Sequence, residues 1–271
     1  MDNIISVQGL TKKFKKFTAV NNISFDIRNG EVFGFLGPNG AGKSTTIRIL
    51  STLLRPTDGT ATVNGFDVIK QPDDVRKYIG LVAEKIILYE HLTAMENLEF
   101  FGKLYDLSED EIHRRADKWV ERLHMTEWMD AQVGTFSTGM KQRINIVRAL
   151  LTEPKILFLD EPTLGLDPQT SNMIREFIRE LNTQGVTVLL TTHGMIEAES
   201  LCDWIAIIDH GDIVAIDTVD GLKKLVPDKE HPTLEDVFLN VTGKEIRDTA
   251  SAHAPTTHRH GFMKKNNNRV R

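Results

Sequence analysis

The apolar positions along the chain show strand patterns in some segments and a helical pattern in others, which predicts a fold that combines strands with helices. Residues 4–7 and 23–27 alternate between apolar and polar side chains, as half-buried antiparallel strands do. Five other segments are largely apolar, which is typical of parallel strands that are covered on both faces. These segments are residues 31–36, 78–83, 155–160, 186–191 and 204–209. With a helix predicted over 169–182, we expect an α/β fold with a mostly parallel sheet and an N-terminal antiparallel β-layer.

A helical pattern interrupts these strands between residues 93 and 148, where apolar positions recur three and four residues apart. The predicted helices cover 94–105, 109–123 and the residues from about 138 onward. We therefore expect a helical subdomain inserted into the α/β core. The predicted bounds are about 1–83 and 150–220 for the core, about 84–149 for the helical subdomain, 221–247 for an accessory segment and 248–271 for a disordered basic tail.

Residues 37–45 form a glycine-rich loop between a predicted strand and a predicted helix. The loop consists of Gly37-Pro38-Asn39-Gly40-Ala41-Gly42-Lys43-Ser44-Thr45 and matches G-x-x-x-x-G-K-[ST] at every position. Glycine allows backbone N–H groups to approach phosphate oxygens, Lys43 can reach the β- and γ-phosphates, and Ser44 can ligate Mg²⁺. A helix predicted over 45–54 adds the positive end of its dipole. The loop predicts a nucleoside triphosphate site, the alternative being a chance glycine turn.

Two acidic side chains, Asp160 and Glu161, stand at the end of the apolar segment 155–160. A carboxylate at a strand end can hold Mg²⁺ through water, and a neighbouring glutamate can polarise a water for attack on a γ-phosphate. Two acids at a buried strand end are costly unless a cation or a proton relieves them. A purely structural pair is therefore the weaker interpretation.

Residues 136–143 open a predicted helix with Ser137 as its N-cap. The N–H groups and the dipole at such a helix start form an anion site. Alone, this pattern indicates only an ordinary capped helix. Because it stands between the phosphate loop and the acidic pair in the sequence, it also supports a nucleotide site.

Phe14 lies in the basic stretch 10–17, ahead of the phosphate loop. Its ring can fold back and stack on a nucleotide base, an interaction that needs only a flat π-face. The alternatives are a place in a small satellite core for Phe14 and a solvated face for the neighbouring lysines.

The composition narrows the class of protein. With 271 residues, 40% of them hydrophobic and 26% charged, the chain can bury a substantial core. The formal net charge of -5 gives no reason to expect nucleic acid as the main partner.

The chain has a single cysteine, Cys202, which excludes an internal disulfide. We expect this cysteine to fill the core from an apolar helix, in a protein of a reducing cytosolic setting. No run of 18 apolar residues and no signal-peptide pattern occurs, so no direct membrane span is expected.

Taken in order, these motifs resemble those of the nucleotide-binding subunits of ABC transporters, over about residues 1–220. The matching parts are the phosphate loop, a signature over 136–140, the acidic strand over 156–162, Gly165-Leu166-Asp167 as the D-loop and Thr191-Thr192-His193 as the switch-histidine segment. The resemblance implies a P-loop NTPase core that binds ATP and Mg²⁺. It also implies ATP hydrolysis that drives transport through a separate integral-membrane permease, at the cytoplasmic face of the membrane.

The resemblance further implies roles for single residues. Glu161 is implied to be the general base, His193 to contact the γ-phosphate and hold Glu161 and water, and Phe14 to stack on adenine. Two subunits, identical or similar, are implied to close head to tail on ATP. Asp167 then reaches across the dimer, and the signature acts on the partner's nucleotide through Ser137, Thr138, Gly139 and Met140. A capped core histidine is the alternative for His193.

Two departures from the family pattern matter. The signature has Thr138 and Met140 where the commonest form has glycine and glutamine; this variant, with the segment 232–243, resembles the branch of exporters for drugs, lipids, polysaccharides and ions. Glu84 stands where the family usually has a glutamine. A carboxylate ligates Mg²⁺ more strongly than an amide does, but it lacks the N–H hydrogen-bond donors of the amide. We hypothesise that Glu84 alters how tightly hydrolysis is coupled to the permease.

Residues 86–101 are the candidate groove for a permease helix. Its apolar side chains include Tyr89, Leu92, Phe100 and Phe101. The alternative for the two phenylalanines is a place in the subdomain core.

Two other functions are less well supported. A soluble ABC-type ATPase that acts on ribosomes or nucleic acid usually carries two tandem sites or a long coiled coil, and this sequence has neither. A P-loop GTPase or small-molecule kinase would leave the signature without a role, and no Asn-Lys-x-Asp motif occurs.

Overall fold

The computed structural model describes residues 3–243, and the predicted basic tail lies outside this range. The strands are β1 (Asn3–Phe14), β2 (Phe17–Arg28), β3 (Val32–Leu36), β4 (Asp58–Val63), β5 (Phe66–Asp67), β6 (Ile79–Val82), β7 (Ile156–Asp160), β8 (Thr187–Thr192), β9 (Trp204–Asp209) and β10 (Asp212–Thr218). The α-helices are α1 (Lys43–Leu50), α2 (Pro72–Arg76), α3 (Ala94–Lys103), α4 (Glu109–Arg122), α5 (Thr138–Leu150), α6 (Pro168–Thr183), α7 (Met195–Leu201), α8 (Val219–Lys223) and α9 (Leu234–Thr242).

The larger sheet has the strand order β10-β9-β3-β8-β7-β6, and all pairs except β9–β10 are parallel. Every residue of β3, β7 and β8 is buried, which explains the largely apolar sequences of β3 and β7, while β8 also buries three threonines. The predicted mostly parallel sheet is confirmed. Strand β10 was not predicted, although His210-Gly211, with φ of 48° and 91°, forms the kind of turn that joins antiparallel strands.

The smaller sheet is antiparallel, with the order β2-β1-β4-β5, and confirms the predicted N-terminal β-layer. Its first two strands are longer than predicted and pair almost to their tips, so the basic stretch 10–17 is the end of a hairpin. Several register shifts interrupt the β1–β2 pairing. These shifts break the simple alternation, and Leu10 and Thr11 are both buried. A period-2 pattern could therefore not reveal the whole strand.

Two hydrophobic clusters pack on opposite faces of the larger sheet. One cluster contains the aromatic group of Phe25, Phe33 and Phe35, whose ring centroids lie 5.1–5.5 Å apart, and it joins the larger sheet to the β-layer. The other cluster contains the buried faces of α3, α4 and α5, including Trp119, which meets Phe177 of α6 edge to face. The helices of the insertion are thus fixed to the same core that carries the phosphate loop.

Cys202 follows the last residue of α7 and is buried against β3. A Cβ atom built on Gly34 would lie 2.5 Å from its Sγ atom, so the thiol occupies the space that a side chain at position 34 would need. The expected core-filling role is confirmed, although Cys202 lies just after α7 and not within the apolar helix that we expected.

Burial raises the pKa of the Cys202 thiol. Because the thiolate is the reactive form, we expect the folded protein to resist an aromatic disulfide reagent at pH 8 for hours. Unfolding in guanidinium should expose one thiol per chain, since the sequence has a single cysteine. Rapid stoichiometric labelling of the folded protein, measured by absorbance, would contradict this burial.

Candidate active site

The phosphate loop connects β3 to α1 and requires glycine at defined places. Gly40 and Gly42 have φ of 81° and 112°, in the left-handed region that glycine adopts at no steric cost. A Cβ atom on Gly42 would lie 2.3 Å from the Ala19 carbonyl oxygen, and one on Gly37 would lie 2.2 Å from the Ile208 carbonyl oxygen. The predicted helix 45–54 begins earlier, at Lys43, because Gly42 serves as its N-cap, and it ends earlier, at Leu50.

The loop borders a cleft with a volume of about 410 Å³. The lining residues are Phe14, Phe17, Ala19, Pro38, Asn39, Gly40, Ala41, Gly42, Lys43, Ser44, Thr45, Glu84 and Glu161. The first N–H groups of an α-helix have no partner within the helix, so the start of α1 presents donors to this cleft. The cleft therefore combines backbone donors, a lysine and carboxylates.

Lys43 and Glu161 form a buried ion pair across the cleft. The Lys43 Nζ atom lies 3.0 Å from Glu161 Oε1, and the two side chains are only 5% and 6% exposed. Lys43 also donates to the carbonyl oxygens of Gly37 at 2.7 Å and Pro38 at 3.3 Å. The loop thus orients the ammonium group, and the ammonium group in turn offsets the cost of burying the glutamate.

His193 lies on the other side of Glu161. Its Nδ1 atom is 2.9 Å from Glu161 Oε2, so one carboxylate contacts both predicted catalytic partners. The backbone of Glu161 has a φ of 51°, which is uncommon for a residue with a side chain. Its N–H group donates to the Thr191 hydroxyl at 3.0 Å, which anchors this strained turn to β8. A half-buried histidine bound to the predicted base disfavours the alternative of a core histidine.

Asp160 and Ser44, two of the predicted metal ligands, are in direct contact. The Ser44 hydroxyl donates to Asp160 Oδ1 at 2.8 Å, and the Thr191 hydroxyl donates to the same oxygen at 2.6 Å. Glu84, the third predicted ligand, is exposed and borders the same cleft. A hydroxyl and carboxylates form a set of hard oxygen donors, which suits Mg²⁺.

Phe14 and Phe17 form the aromatic edge of the cleft. Phe14 is 44% exposed and Phe17 is 58% exposed, so the satellite-core alternative for Phe14 is wrong. The Lys12 ammonium lies 5.1 Å from the centre of the Phe14 ring. Phe17 was not predicted to line the site, although it is the second aromatic residue of the same basic stretch and that position was a usable signal.

The signature segment lies apart from the cleft of its own chain. Ser137 caps α5 as predicted, accepting from the Met140 N–H group at 3.3 Å, and Ser137 and Thr138 are exposed. Gly139 is packed so closely that a Cβ atom there would lie 2.9 Å from Thr170 Cγ2. Within the described range, none of the signature residues 137–140 lines the cleft.

Asp167 has a local role that the sequence analysis did not assign. It is the N-cap of α6 and accepts from the Thr170 N–H group at 2.9 Å. This hydrogen bond lowers the pKa of the Asp167 carboxyl group. Gln142 of α5 also has a role that was not predicted from the sequence. It donates to the Pro162 carbonyl oxygen at 2.9 Å and so joins the signature helix to the turn after Glu161.

Comparison with known proteins decides the family. The family model for the ABC transporter ATP-binding domain, described simply as "ABC transporter", matches residues 20–164. The chain belongs to this family. It is an ATP-binding and ATP-hydrolysing subunit, as its curated relatives and structural neighbours also indicate.

Two bacterial relatives show how far the similarity extends. The chain is 46% identical over 215 residues to the linearmycin resistance ATP-binding protein LnrL of Bacillus subtilis, which covers 79% of this chain and 69% of LnrL. It is 37% identical over 249 residues to the doxorubicin resistance ATP-binding protein DrrA of Mycobacterium tuberculosis, which covers 91% of this chain and 73% of DrrA.

Two solved structures have the same fold. An ATP-binding subunit of an ABC transporter superposes with a TM-score of 0.80 at 31% identity, covering 88% of this chain and 99% of that one. The ATP-binding cassette MJ0796, solved as a post-hydrolysis dimer bound to ADP and phosphate, superposes with a TM-score of 0.73 at 28% identity, covering 79% of this chain and 98% of that one.

A separate cluster of metal-binding residue types lies on the helical subdomain of this ABC protein. Donor atoms of Glu99, Glu109 and His113 fall within 4.8 Å of one another. The Lys103 ammonium, however, lies 3.9 Å from an oxygen of each glutamate and already supplies a positive charge there. We assign no ion to this cluster.

The steric demand at Gly42 predicts a selective loss of nucleotide binding. Gly42→Ala would place a methyl group against the Ala19 carbonyl oxygen and distort the phosphate loop. We expect ATP affinity, measured by equilibrium binding, to fall by at least about tenfold, which is about 1.4 kcal/mol. Gly65→Ala is the matched control, because Gly65 also has a positive φ but has no atom within 4 Å of the added Cβ. Equal ATP affinity of the two variants would show that the loop tolerates the clash.

Proposed function

We propose that this ATPase powers export through a separate membrane permease, by closing around ATP together with a second ATPase subunit. The observation that carries the proposal is the contact of Glu161 with both Lys43 and His193 beside the phosphate loop. This arrangement places the proposed base, Glu161, in direct contact with the Lys43 ammonium group and with the His193 imidazole that orients it.

Lys43 is the first residue to respond to the triphosphate. Phosphate oxygens compete with Glu161 for the ammonium group, and the loop carbonyl groups keep that group at the cleft. Once Lys43 turns to the phosphates, the Glu161 carboxylate is released to accept a proton from water. The water oxygen then attacks the γ-phosphorus, and ADP leaves with the electrons of the broken bond.

His193 holds the base during this step. Its contact with Glu161 Oε2 leaves Oε1, the oxygen that faces Lys43, as the proton acceptor. In the proposed role, His193 also contacts the γ-phosphate. The histidine would therefore sense whether the triphosphate is intact.

Mg²⁺ fits the oxygen donors beside the loop. Ser44 and Asp160 would hold the ion, with Glu84 as a further ligand from the edge of the cleft. When bound, Mg²⁺ neutralises charge that develops on the phosphate oxygens. Phe14, with Phe17 beside it, would stack on the adenine ring at the outer end of the cleft.

A second subunit completes the proposed site. Ser137 and Thr138 are exposed and do not line the cleft of their own chain, whereas the start of α5 offers N–H groups to an anion. A partner that binds head to tail would place its signature, with Gly139 and Met140, on the nucleotide held by this chain. Asp167, at the exposed start of α6, would then reach across the dimer. The dimeric cassette MJ0796 supports this arrangement.

The relatives support export. LnrL and DrrA are resistance proteins for linearmycin and doxorubicin, and resistance of this kind fits removal of a compound from the cell. None of the described helices combines the length and the hydrophobicity needed to cross a bilayer. In the proposed function, a separate permease supplies the transport path, and this subunit binds to its cytoplasmic side.

An exposed aromatic patch is the proposed docking groove for that permease. Tyr89, Phe100 and Phe101 pack against one another with ring centroids 4.8–6.0 Å apart, yet Tyr89 and Phe100 are 48% and 39% exposed. This exposure disfavours a simple core role for Phe100. Below the patch, Arg148 stacks on Phe101 and donates to the Leu81 carbonyl oxygen at 3.0 Å, close in sequence to Glu84. A permease helix in the groove would thereby be linked, through Phe101 and Arg148, to strand β6, which ends two residues before Glu84.

Replacement of the proposed base tests the mechanism directly. Glu161→Gln keeps the shape of the side chain but cannot accept the proton, so we expect phosphate release to fall by at least about 10²-fold. ATP binding should persist, and gel filtration with ATP should show a stable dimer. The exposed Glu127→Gln on the helical subdomain is a control that should keep full turnover. Normal phosphate release by Glu161→Gln would remove this residue from its assigned role.

Replacement of Glu84 tests the coupling to the permease. Glu84→Gln restores the donor that the family usually has and removes a negative charge from the cleft. We expect the ratio of permease-stimulated to basal ATPase rates to change by at least about twofold, measured with the protein alone and reconstituted with its permease. Basal and stimulated rates that both equal those of the unaltered protein would show that Glu84 has no coupling role.

A further inference from the structure

Glu197 is a buried carboxylate that the mechanism described so far does not use. It lies in the first turn of α7 and is only 5% exposed. Burial raises the pKa of this carboxyl group, and the nearby charge of Glu161 acts in the same direction. An apolar side chain would fill this space without such a cost, so the contacts of the carboxylate require an explanation.

Two threonine hydroxyls from different turns converge on Glu197. The Thr163 hydroxyl donates to Glu197 Oε1 at 2.7 Å, and the Thr192 hydroxyl lies close enough to this carboxyl group to lower its pKa. Thr192 Oγ1 in turn accepts from the Gly194 N–H group at 2.9 Å. The Gly194 carbonyl oxygen also accepts from the Ala198 N–H group at 3.1 Å, so the helix that carries Glu197 is hydrogen-bonded to the residue that follows His193.

Each of the two turns carries a residue of the active site. The turn from Thr192 to Gly194 contains His193, and Thr163 follows Glu161 by two positions. The second turn is closed by the Leu164 N–H group, which donates to the Glu161 carbonyl oxygen at 3.2 Å. The helix of Glu197 is thus bonded to the turn of the histidine, and Glu197 itself is bonded to the turn of the base.

The phosphate loop is attached to the same network. The Gly37 N–H group donates to the Thr192 carbonyl oxygen at 3.3 Å. A displacement of Thr192 would therefore reach the first residue of the loop as well as His193. This makes Thr192 the residue through which Glu197 can influence both sides of the cleft.

We propose that Glu197 is a positioning residue for ATP hydrolysis, which holds the His193 turn and the Glu161 turn in fixed register. It acts through the Thr163 and Thr192 hydroxyls and does not touch the nucleotide. This role deepens the proposed function and depends on Glu161 and His193 having their assigned parts.

The test compares two substitutions that differ in their ability to accept a hydrogen bond. Glu197→Met removes both acceptor oxygens at similar length, whereas Glu197→Gln keeps one. We expect Glu197→Met to lower kcat for phosphate release by at least about tenfold, because both hydroxyls lose a buried partner. The ATP dissociation constant should stay within about twofold, and Glu197→Gln should recover part of the lost rate. A merely structural residue would lower Tm and ATP affinity together with kcat.

Two further variants complete the design. Glu199→Gln is the matched control on the same helix, since Glu199 pairs with Lys223 at the surface, and we expect it to keep full activity. Thr163→Val removes one donor at constant volume and should lower kcat by an intermediate factor. The double variant Thr163→Val with Glu197→Met should be no slower than Glu197→Met alone, because both remove the same hydrogen bond.

Several results would overturn the proposal. These are full kcat in Glu197→Met, a lower Tm with an unchanged kcat of the folded protein, or independent multiplication of the two effects in the double variant. If Glu197→Met does not fold, full activity of Thr163→Val has the same consequence. Failure of the proposed function is distinguishable, because Glu161→Gln would then retain turnover or the unaltered protein would not hydrolyse ATP.

Discussion

The buried ion pair between Lys43 and Glu161 is the interaction on which the rest of the site depends. Two charges 3.0 Å apart with almost no solvent exposure are stable only when each is further satisfied by neighbours. The loop carbonyl groups satisfy Lys43, and His193 satisfies the other carboxylate oxygen. Loss of either neighbour would leave a buried charge poorly paired. The same balance makes the pair responsive, because an incoming triphosphate offers Lys43 a more highly charged partner.

Strand order explains why these groups meet. β3, β8 and β7 are adjacent and parallel, so their carboxyl ends lie at one edge of the sheet. The phosphate loop follows β3, His193 follows β8, and Glu161 follows Asp160, the last residue of β7. Segments far apart in sequence are thereby brought within hydrogen-bond distance by the register of one sheet. Ligand sites in open α/β sheets form at this edge for the same reason.

The parts of the site that could be predicted are those whose function depends on residue type and local spacing. The phosphate loop, the acidic strand end and the Ser137 cap all satisfy local backbone requirements, and each pattern is visible in the sequence. The full lengths of β1 and β2, and the roles of Phe17, Gln142 and Glu197, were not predicted. Register shifts hide the strand ends, and each of these side chains acquires its role from a partner distant in the chain. A buried glutamate within a helix has no sequence pattern that separates it from an exposed one.

The helix α5 is a single rigid element that connects the signature segment to the turn after Glu161. The exposed Ser137 is its N-cap, and its second turn carries Gln142, which donates to the carbonyl oxygen of Pro162. Pro162 directly follows Glu161, and Glu161 already has a strained backbone. A helix transmits a displacement at its N-terminus with little loss over so short a distance, because each turn is hydrogen-bonded to the next. In the proposed dimer, contact between this signature and the nucleotide of the partner would therefore act on the turn that holds Glu161, and the two sites would share a mechanical connection that neither subunit has alone.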